Sequence, residues 1–177
     1  MDIIQFIEHN EPSYTTRTIA NAKSADFTIA FAINFKTPGE ILTHKAAYCK
    51  YLAIDINDII PESNFVLNKL LDILKRQPKS INFAGNGIYT LIEHGINQDR
   101  LDTIIEIIIL YTLKFTEGTK FIVRSDGQTG VDEAALKAGD KLGLKTICLA
   151  PKNWLFRDRN GKDHRHDPEE FCARFGE

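Results

Sequence analysis

With 177 residues, and 22 lysines and arginines against 24 aspartates and glutamates, the chain is long enough for one cored domain and too evenly charged to face a nucleic-acid backbone broadly. Cys49, Cys148 and Cys172 are odd in number, far apart and form no Cys-x-x-Cys pair, so they read as free thiols rather than a disulfide frame or a zinc site. The start, Met1-Asp2-Ile3-Ile4-Gln5-Phe6, lacks the basic lead and apolar run of a signal peptide. The greasiest segment, 104–113, carries Glu106 and is far shorter than a membrane span, so a cytoplasmic protein with no membrane partner is expected.

In chain order, 13–24 is polar and loosely helical, and the apolar run 26–34 reads as a strand. Residues 39–48 follow Pro38-Gly39 as a helix, and 50–56 is a second strand. Pro61 opens a helix over 61–76, where Val66, Leu67, Leu70, Leu71 and Leu74 recur at helical spacing, and Pro78 closes it. Strands follow at 80–84, 120–125 and 145–149, with helices at 99–114 and 131–142 between them. Several strands are almost continuously apolar, as strands covered on both faces must be. The alternation predicts an α/β domain: a mostly parallel sheet with helices on both faces, one unit over 1–177. From Lys152 the composition changes, and 152–177 reads as a polar loop with a short terminal helix.

The segment 99–114 is apolar nearly all round, and its isoleucines also suit a strand. Asp99 and Asp102 near its start and Lys114 near its end favour the helix through the macrodipole. Such a helix must be buried, under the sheet or against a second copy; a homo-oligomer is therefore expected.

Three strand ends carry the functional signal. The run Phe121-Ile122-Val123 stops at Arg124-Ser125-Asp126-Gly127-Gln128-Thr129-Gly130-Val131-Asp132 and opens into a helix whose unpaired N–H groups suit a phosphate. Strand 26–34 ends in Thr37-Pro38-Gly39-Glu40, and strand 80–84 ends in Gly85-Asn86-Gly87. In an open parallel sheet these ends share one edge, where ligands bind at a reversal of strand order. Thr129 and Thr37 would add hydroxyl donors, and Gln128 would reach a base or sugar. Asp126 repels a bare phosphate, so it reads either as a sugar-hydroxyl or metal-bridging acceptor, or as a solvent-facing turn residue. Asp132 at the helix start reads either as a further contact to the ligand or as a residue that stabilises the dipole without any chemistry. Trp154 is expected to pack the terminal helix. His164-x-His166 beside Asp163 and Asp167 is read as a solvated loop rather than a metal site. The expectation is that Gly130→Trp abolishes ligand binding and leaves the fold intact.

The stretch Ser125 to Leu136 resembles the Gly-Gly-Gln-Thr-Gly-x-Asp-x-Ala-Ala-Leu signature of the molybdenum-cofactor carrier family, part of the SLOG group of Rossmann-like, lysine-decarboxylase-like proteins. Ala150-Pro151-Lys152-Asn153 is similar to that family's Cys-Pro-Lys-Gly. Tyr14, Arg17, Thr18, Asn21, Asp26 and Thr28 match its Tyr-x-x-Arg-Thr-x-x-Asn-x-x-x-x-Asp-x-Thr spacing, and Asn82-Phe83-Ala84-Gly85 with Gly87-Ile88-Tyr89 matches its Asn-Val-Ala-Gly and Gly-Ile-Tyr elements. The order differs. The Gly-Gln-Thr-Gly half comes last here, so the resemblance implies a circular permutant, joined through 99–114 and 120–125 across the family's termini. Asp126 replaces the first glycine of the pair, and Ala150 and Asn153 replace the Cys and Gly of Cys-Pro-Lys-Gly.

The resemblance implies a Rossmann-like fold and a bound nucleotide or pterin-type cofactor. Within the best-matched motifs it brings Arg17, Thr18 and Lys152 to the ligand, Arg17 and Lys152 as phosphate or carboxylate binders. Three function classes remain open: a module that holds a phosphorylated small molecule without turnover, a nucleoside 5′-monophosphate N-glycosidic hydrolase, and a sensor or sequestering protein for a nucleotide signal. Hydrolysis is carried by some SLOG relatives; here it would need Asp132 or Glu133 as acid/base, without the Pro-Gly-Gly-x-Gly-Thr-x-x-Glu spacing of those enzymes.

Overall fold

The computed structural model describes residues 4–59, 64–115 and 120–176. Six strands, β1 (Ile4–Glu8), β2 (Phe27–Ala32), β3 (Tyr51–Asp55), β4 (Ser80–Gly85), β5 (Ile122–Ser125) and β6 (Thr146–Ala150), form one sheet in the order β1-β6-β5-β4-β2-β3. Every pairing is parallel. The connections are α1 (Tyr14–Ser24), α2 (Pro38–Ala47), α3 (Asn64–Leu74), the short α4 (Ile88–Ile92) with α5 (Gln98–Phe115), and α6 (Val131–Lys141). After β6 come a small antiparallel hairpin, β7 (Phe156–Arg157) and β8 (Asp163–His164), and α7 (Pro168–Ala173). This is the Rossmann-like α/β arrangement expected from the alternation of apolar runs.

Helix placement follows from strand order. β1→β2 and β2→β3 step one way along the sheet, whereas β3→β4, β4→β5 and β5→β6 step back. Right-handed crossovers then place α1 and α2 on one face and α3, α5 and α6 on the other. Accordingly α1 packs on α2, and α5 packs on α3 and α6. Side chains alternate across the sheet. Ile29, Phe31, Ile81, Phe83 and Val123 join the large core with α3, α5 and α6. Between them in the strand register, Thr28, Asn82 and Arg124 face α1 and α2.

β1, α4 and the β7–β8 hairpin have no counterpart in the sequence reading, which took the stretch from Lys152 as a polar loop before the terminal helix. β1 is an edge strand whose Ile4-Gln5-Phe6-Ile7-Glu8 offers only two clear alternations, and α4 is a single turn and a half after Gly87. Pro61 and the junction at 116–119, which the permutation was taken to cross, lie outside the described residues, as does Met1–Ile3. The helix reading of 99–114 holds. Leu101, Ile105 and Ile109 are fully buried, while Ile107, Leu110 and Tyr111 remain exposed on its outer stripe. Trp154 packs edge-on against Phe171 of α7, with ring centroids 5.5 Å apart. Among the described residues no helix is long and apolar enough to cross a membrane.

Candidate functional site

The strand order reverses between β2, whose connection runs to β3, and β4, whose connection runs to β5. A cleft of about 470 Å³ opens at their carboxyl ends, where an open α/β sheet offers its binding crevice. The floor is made of small residues, Ala84 and Gly85, next to Asn82. Gly85 is obligatory for close packing: a Cβ there would stand 2.0 Å from the Phe31 carbonyl oxygen and 2.6 Å from a methyl of Val131 on α6. Asn86 staples the two loops across the crevice. Its Oδ1 accepts from the amides of Ile33 and Asn34 at 2.9 Å each, and its Nδ2 donates to the Asn34 carbonyl at 3.1 Å.

All three predicted turns reach this cleft, and Thr18, Thr37, Gly39, Gly85, Gly87, Asp126, Gln128, Thr129 and Asp132 line it. Their hydrogen bonds, however, are largely spent inside the protein. The Val131 amide donates to the Asn86 carbonyl at 3.4 Å, and the Glu133 amide to the Gln128 carbonyl at 3.0 Å. Thr129 gives its hydroxyl to the Arg157 carbonyl, and Gln128 gives its side-chain amide to the Leu155 carbonyl at 3.1 Å. The Gly127 carbonyl accepts from Arg174 at 2.8 Å. The Gly-Gln-Thr-Gly turn therefore ties α6 to the β7–β8 hairpin and α7, and this tie replaces the open phosphate cradle expected of it. Gly130 sits at φ +125°, and a Cβ on it would stand 2.7 Å from the Asn86 carbonyl oxygen. Gly130→Trp would break the backbone contact between the turns, so it tests folding and not binding.

What the cleft does present is acid. Among the described residues its lining holds four acidic side chains, Glu40, Asp126, Asp132 and Asp163, and one arginine, Arg157, itself bridged to Asp163. A naked phosphate is disfavoured against that balance. Asp126 does not point to solvent: Thr18 Oγ donates to it at 3.3 Å, Asn21 Nδ2 donates to its other oxygen, and Arg17 Nε stands 3.3 Å away. Asp132 lies beside it at the start of α6. Burial, and then the Asp126 charge, push the Asp132 carboxyl well above the usual carboxylate range. Burial pushes Glu40 up to about 7. The phenol of Tyr14 is raised by burial and then by Asp126, Asp132 and Glu40, which places its hydroxyl among the three acids.

The remaining predicted residues lie away from the opening. Arg17 is buried behind Asp126 and is not part of the cleft wall. Its Nε faces a carboxylate of the protein, whereas the sequence reading assigned its guanidinium to a ligand. Lys152 is exposed, off the cleft, in a 3₁₀ turn after β6. Glu133 faces the far side of α6, where Arg174, Lys137 and Arg159 neutralise it at 2.9, 3.0 and 3.6 Å. It is thereby removed from the acid/base role. His164 is held between Asp158 and Glu170 at 3.1 and 2.6 Å, and no cluster with metal-ligating composition occurs among the described residues.

Sequence reasoning missed Glu40 as a site residue. Thr37-x-x-Glu40 has the spacing of a capping box, in which both side chains cap the helix. Only half of it closes. The Thr37 hydroxyl accepts from the Glu40 amide at 3.3 Å, while Glu40 turns inward, nearly fully buried.

Fold and cleft together define the class: a Rossmann-like α/β domain with an acidic crevice at its switch point. No family model matches the chain, and neither a curated protein nor a solved structure matches it significantly.

Proposed function

We propose that the chain binds a phosphorylated small molecule of the nucleotide or nucleotide-like class in this crevice, with the sugar inward and the phosphate at the rim. The observation that carries the reading is the pairing of Asp126 with Asp132. Asp126 is held as an acceptor by Thr18, Asn21 and Arg17, and burial together with the Asp126 charge disfavours ionisation of the Asp132 carboxyl at the start of α6. An acceptor beside a carboxyl that resists ionisation suits the hydroxyls of a ribose, which both donate and accept. The phosphate stays outside the acidic lining, near Arg157 and the Gly87 turn at the mouth. The resemblance to the carrier family supports the same ligand class and holding without turnover, and it alone supports the permuted order.

The test is isothermal titration with nucleoside 5′-monophosphates, the matching nucleosides and inorganic phosphate. Nucleotides should bind, free phosphate should not, and Asp126→Asn should weaken binding tenfold or more. Binding of inorganic phosphate alone, unaffected by Asp126→Asn, overturns the orientation and the role of the pair.

A second reading, N-glycosidic hydrolysis of a nucleoside 5′-monophosphate, is favoured by the Asp132 carboxyl, which burial and the Asp126 charge raise well above the usual carboxylate range. Carboxyl groups whose surroundings separate them in this way are how acid and base roles are divided. Chromatography for free base after prolonged incubation distinguishes it from holding or sensing, which leave the nucleotide intact. Self-association is a further part of the proposal, supported by Ile107, Leu110 and Tyr111 exposed on one stripe of α5; light scattering of the purified protein tests it.

A further inference from the structure

Two buried side chains in the cleft wall have oxygen atoms with no hydrogen-bond partner: Oε2 of Glu40 and Oδ1 of Asn21. Each residue is at least nine-tenths buried, Glu40 being 3% and Asn21 1% exposed. Buried polar atoms are almost always paired, and leaving one unpaired costs about 1–3 kcal/mol. Neither residue is there for its own packing. Asn21 has already spent its amide on Asp126, and Glu40 ignores the capping position that its place in the helix offers it.

We infer that Glu40 is the inner recognition residue of the cleft, with Asn21 beside it, and that it takes a hydrogen-bond-donating group of the ligand, a hydroxyl or an amino N–H. The inference rests on the nucleotide-binding reading above and adds the polarity of the innermost subsite, which accepts donors and rejects anions.

The charged and titratable neighbours fit that polarity. Glu40 is faced by Tyr14 from α1, Tyr51 from β3 and Asp132 from α6. His44, one turn along α2, stacks on Tyr51 instead, with ring centroids 4.5 Å apart. No cation forms an ion pair with Glu40 among the described residues. The subsite thus holds a carboxyl that burial has raised to about 7, and a ligand donor supplies the partner that the protein does not. A donor stabilises the ionised form, so binding expels a proton and affinity rises with pH through that range.

The experiment is calorimetric titration of wild type, Glu40→Gln and Glu40→Leu at pH 6 and pH 8. The probes are adenosine 5′-monophosphate, its 2′-deoxy form, and purine riboside 5′-monophosphate, which lacks the amino group. Wild type should bind about three- to tenfold more tightly at pH 8, and Glu40→Gln should lose that slope. The ligand phosphate titrates identically in both proteins and cancels. Glu40→Leu should bind at least tenfold more weakly yet melt at a higher temperature, since the unpaired group is gone; a merely structural Glu40 would lower both. The probe whose affinity no longer depends on Glu40 identifies the donor, hydroxyl or amino. Wild-type binding with the same pH slope in Glu40→Gln, or a Glu40→Leu protein that binds normally and melts lower, overturns the inference alone. Failure of wild type to bind any probe overturns the nucleotide reading and this inference with it.

Discussion

Along β4, Ile81 and Phe83 turn into a dry layer with α3, α5 and α6, while Asn82 between them turns toward α1 and α2. The dry side is aromatic and aliphatic: Phe83 stacks between Phe31 and Phe121 with centroids 6.3 and 6.4 Å away. The other side buries Thr28, Asn82, Arg17, Asn21, Glu40 and Thr43. Of the five buried polar side-chain atoms without a hydrogen bond among the described residues, four belong to this side, on Arg17, Asn21, Glu40 and Arg124, and of these the Arg17 nitrogen keeps its ion pair with Asp126. A sheet can be held by one apolar face alone, which frees the opposite face to carry groups that a packed core would reject. Stability and recognition are thus separated by the two-residue period of the strand, within the same six or so residues.

The most direct way to break that comparison is to cut equally into both faces. Phe83→Ala on the dry side should cost about 3–5 kcal/mol, lowering the melting temperature by roughly 10 °C at about 2–4 °C per kcal/mol. Asn82→Leu on the wet side, one residue away, should cost far less, because its one side-chain bond is a 3.3 Å contact to Thr28. Equal losses in a thermal melt would show that the wet face is as structural as the dry one.

The glycine turn lies at the border between the two regimes, and Arg174 decides to which it belongs. Its guanidinium bonds Glu133 at 2.9 Å and the Gly127 carbonyl at 2.8 Å, and it lies over the rings of Phe156, Phe171 and Phe175 at 4.0, 4.5 and 4.8 Å. Removing one partner of a buried pair leaves the other stranded. Arg174→Met should therefore cost about 3 kcal/mol in urea unfolding, softened by the Lys137 contact that Glu133 keeps at 3.0 Å. A loss near zero would return the turn to the ligand side.

Acid reads the same division through stability. Folding raises the Glu40 carboxyl from 4.5 to about 7. A raised carboxyl favours the folded state fully below its unfolded value, and that contribution is lost as pH climbs to the folded value. Wild type should therefore lose up to about 3 kcal/mol relative to Glu40→Gln between pH 4.5 and 7, with no further change above. Urea midpoints for both proteins across that range measure the difference directly; parallel curves would mean that Glu40 is solvated.

Much of this was legible from the residues. Strand runs, helix spacing and turns gave the layered parallel sheet, because hydrophobic period reports burial directly. β1 escaped, since an edge strand of five residues has too few alternations to stand out. The three turns were found and do converge. What sequence could not give was where each donor is spent. Thr129, Gln128 and Arg17 look free as letters, and their partners, the Arg157 and Leu155 carbonyls and Asp126, are brought in by chain segments 28, 27 and 109 residues away. Glu40 was hidden for a different reason: as a letter it is one more acid in the first turn of a helix, and only the fold turns it inward.

Thr37 gives the smallest and sharpest test, because it touches both regimes at once. Its hydroxyl caps α2 by accepting from the Glu40 amide at 3.3 Å, and the residue also lines the cleft. Loss of such a cap costs about 1 kcal/mol, so Thr37→Ala should lower the melting temperature by roughly 2–4 °C. Thr37→Ser keeps the cap and should recover most of it. Nucleotide affinity separates the roles. If the hydroxyl serves only the helix, affinity in Thr37→Ala follows stability and is nearly unchanged in a well-folded protein. If it also meets the ligand, affinity falls several-fold in Thr37→Ala and returns in Thr37→Ser. Since the hydroxyl already accepts from Glu40 and keeps its own proton free to donate, one oxygen can hold the helix start and greet a phosphate or sugar oxygen together, and the wet face would then begin at the first turn of α2.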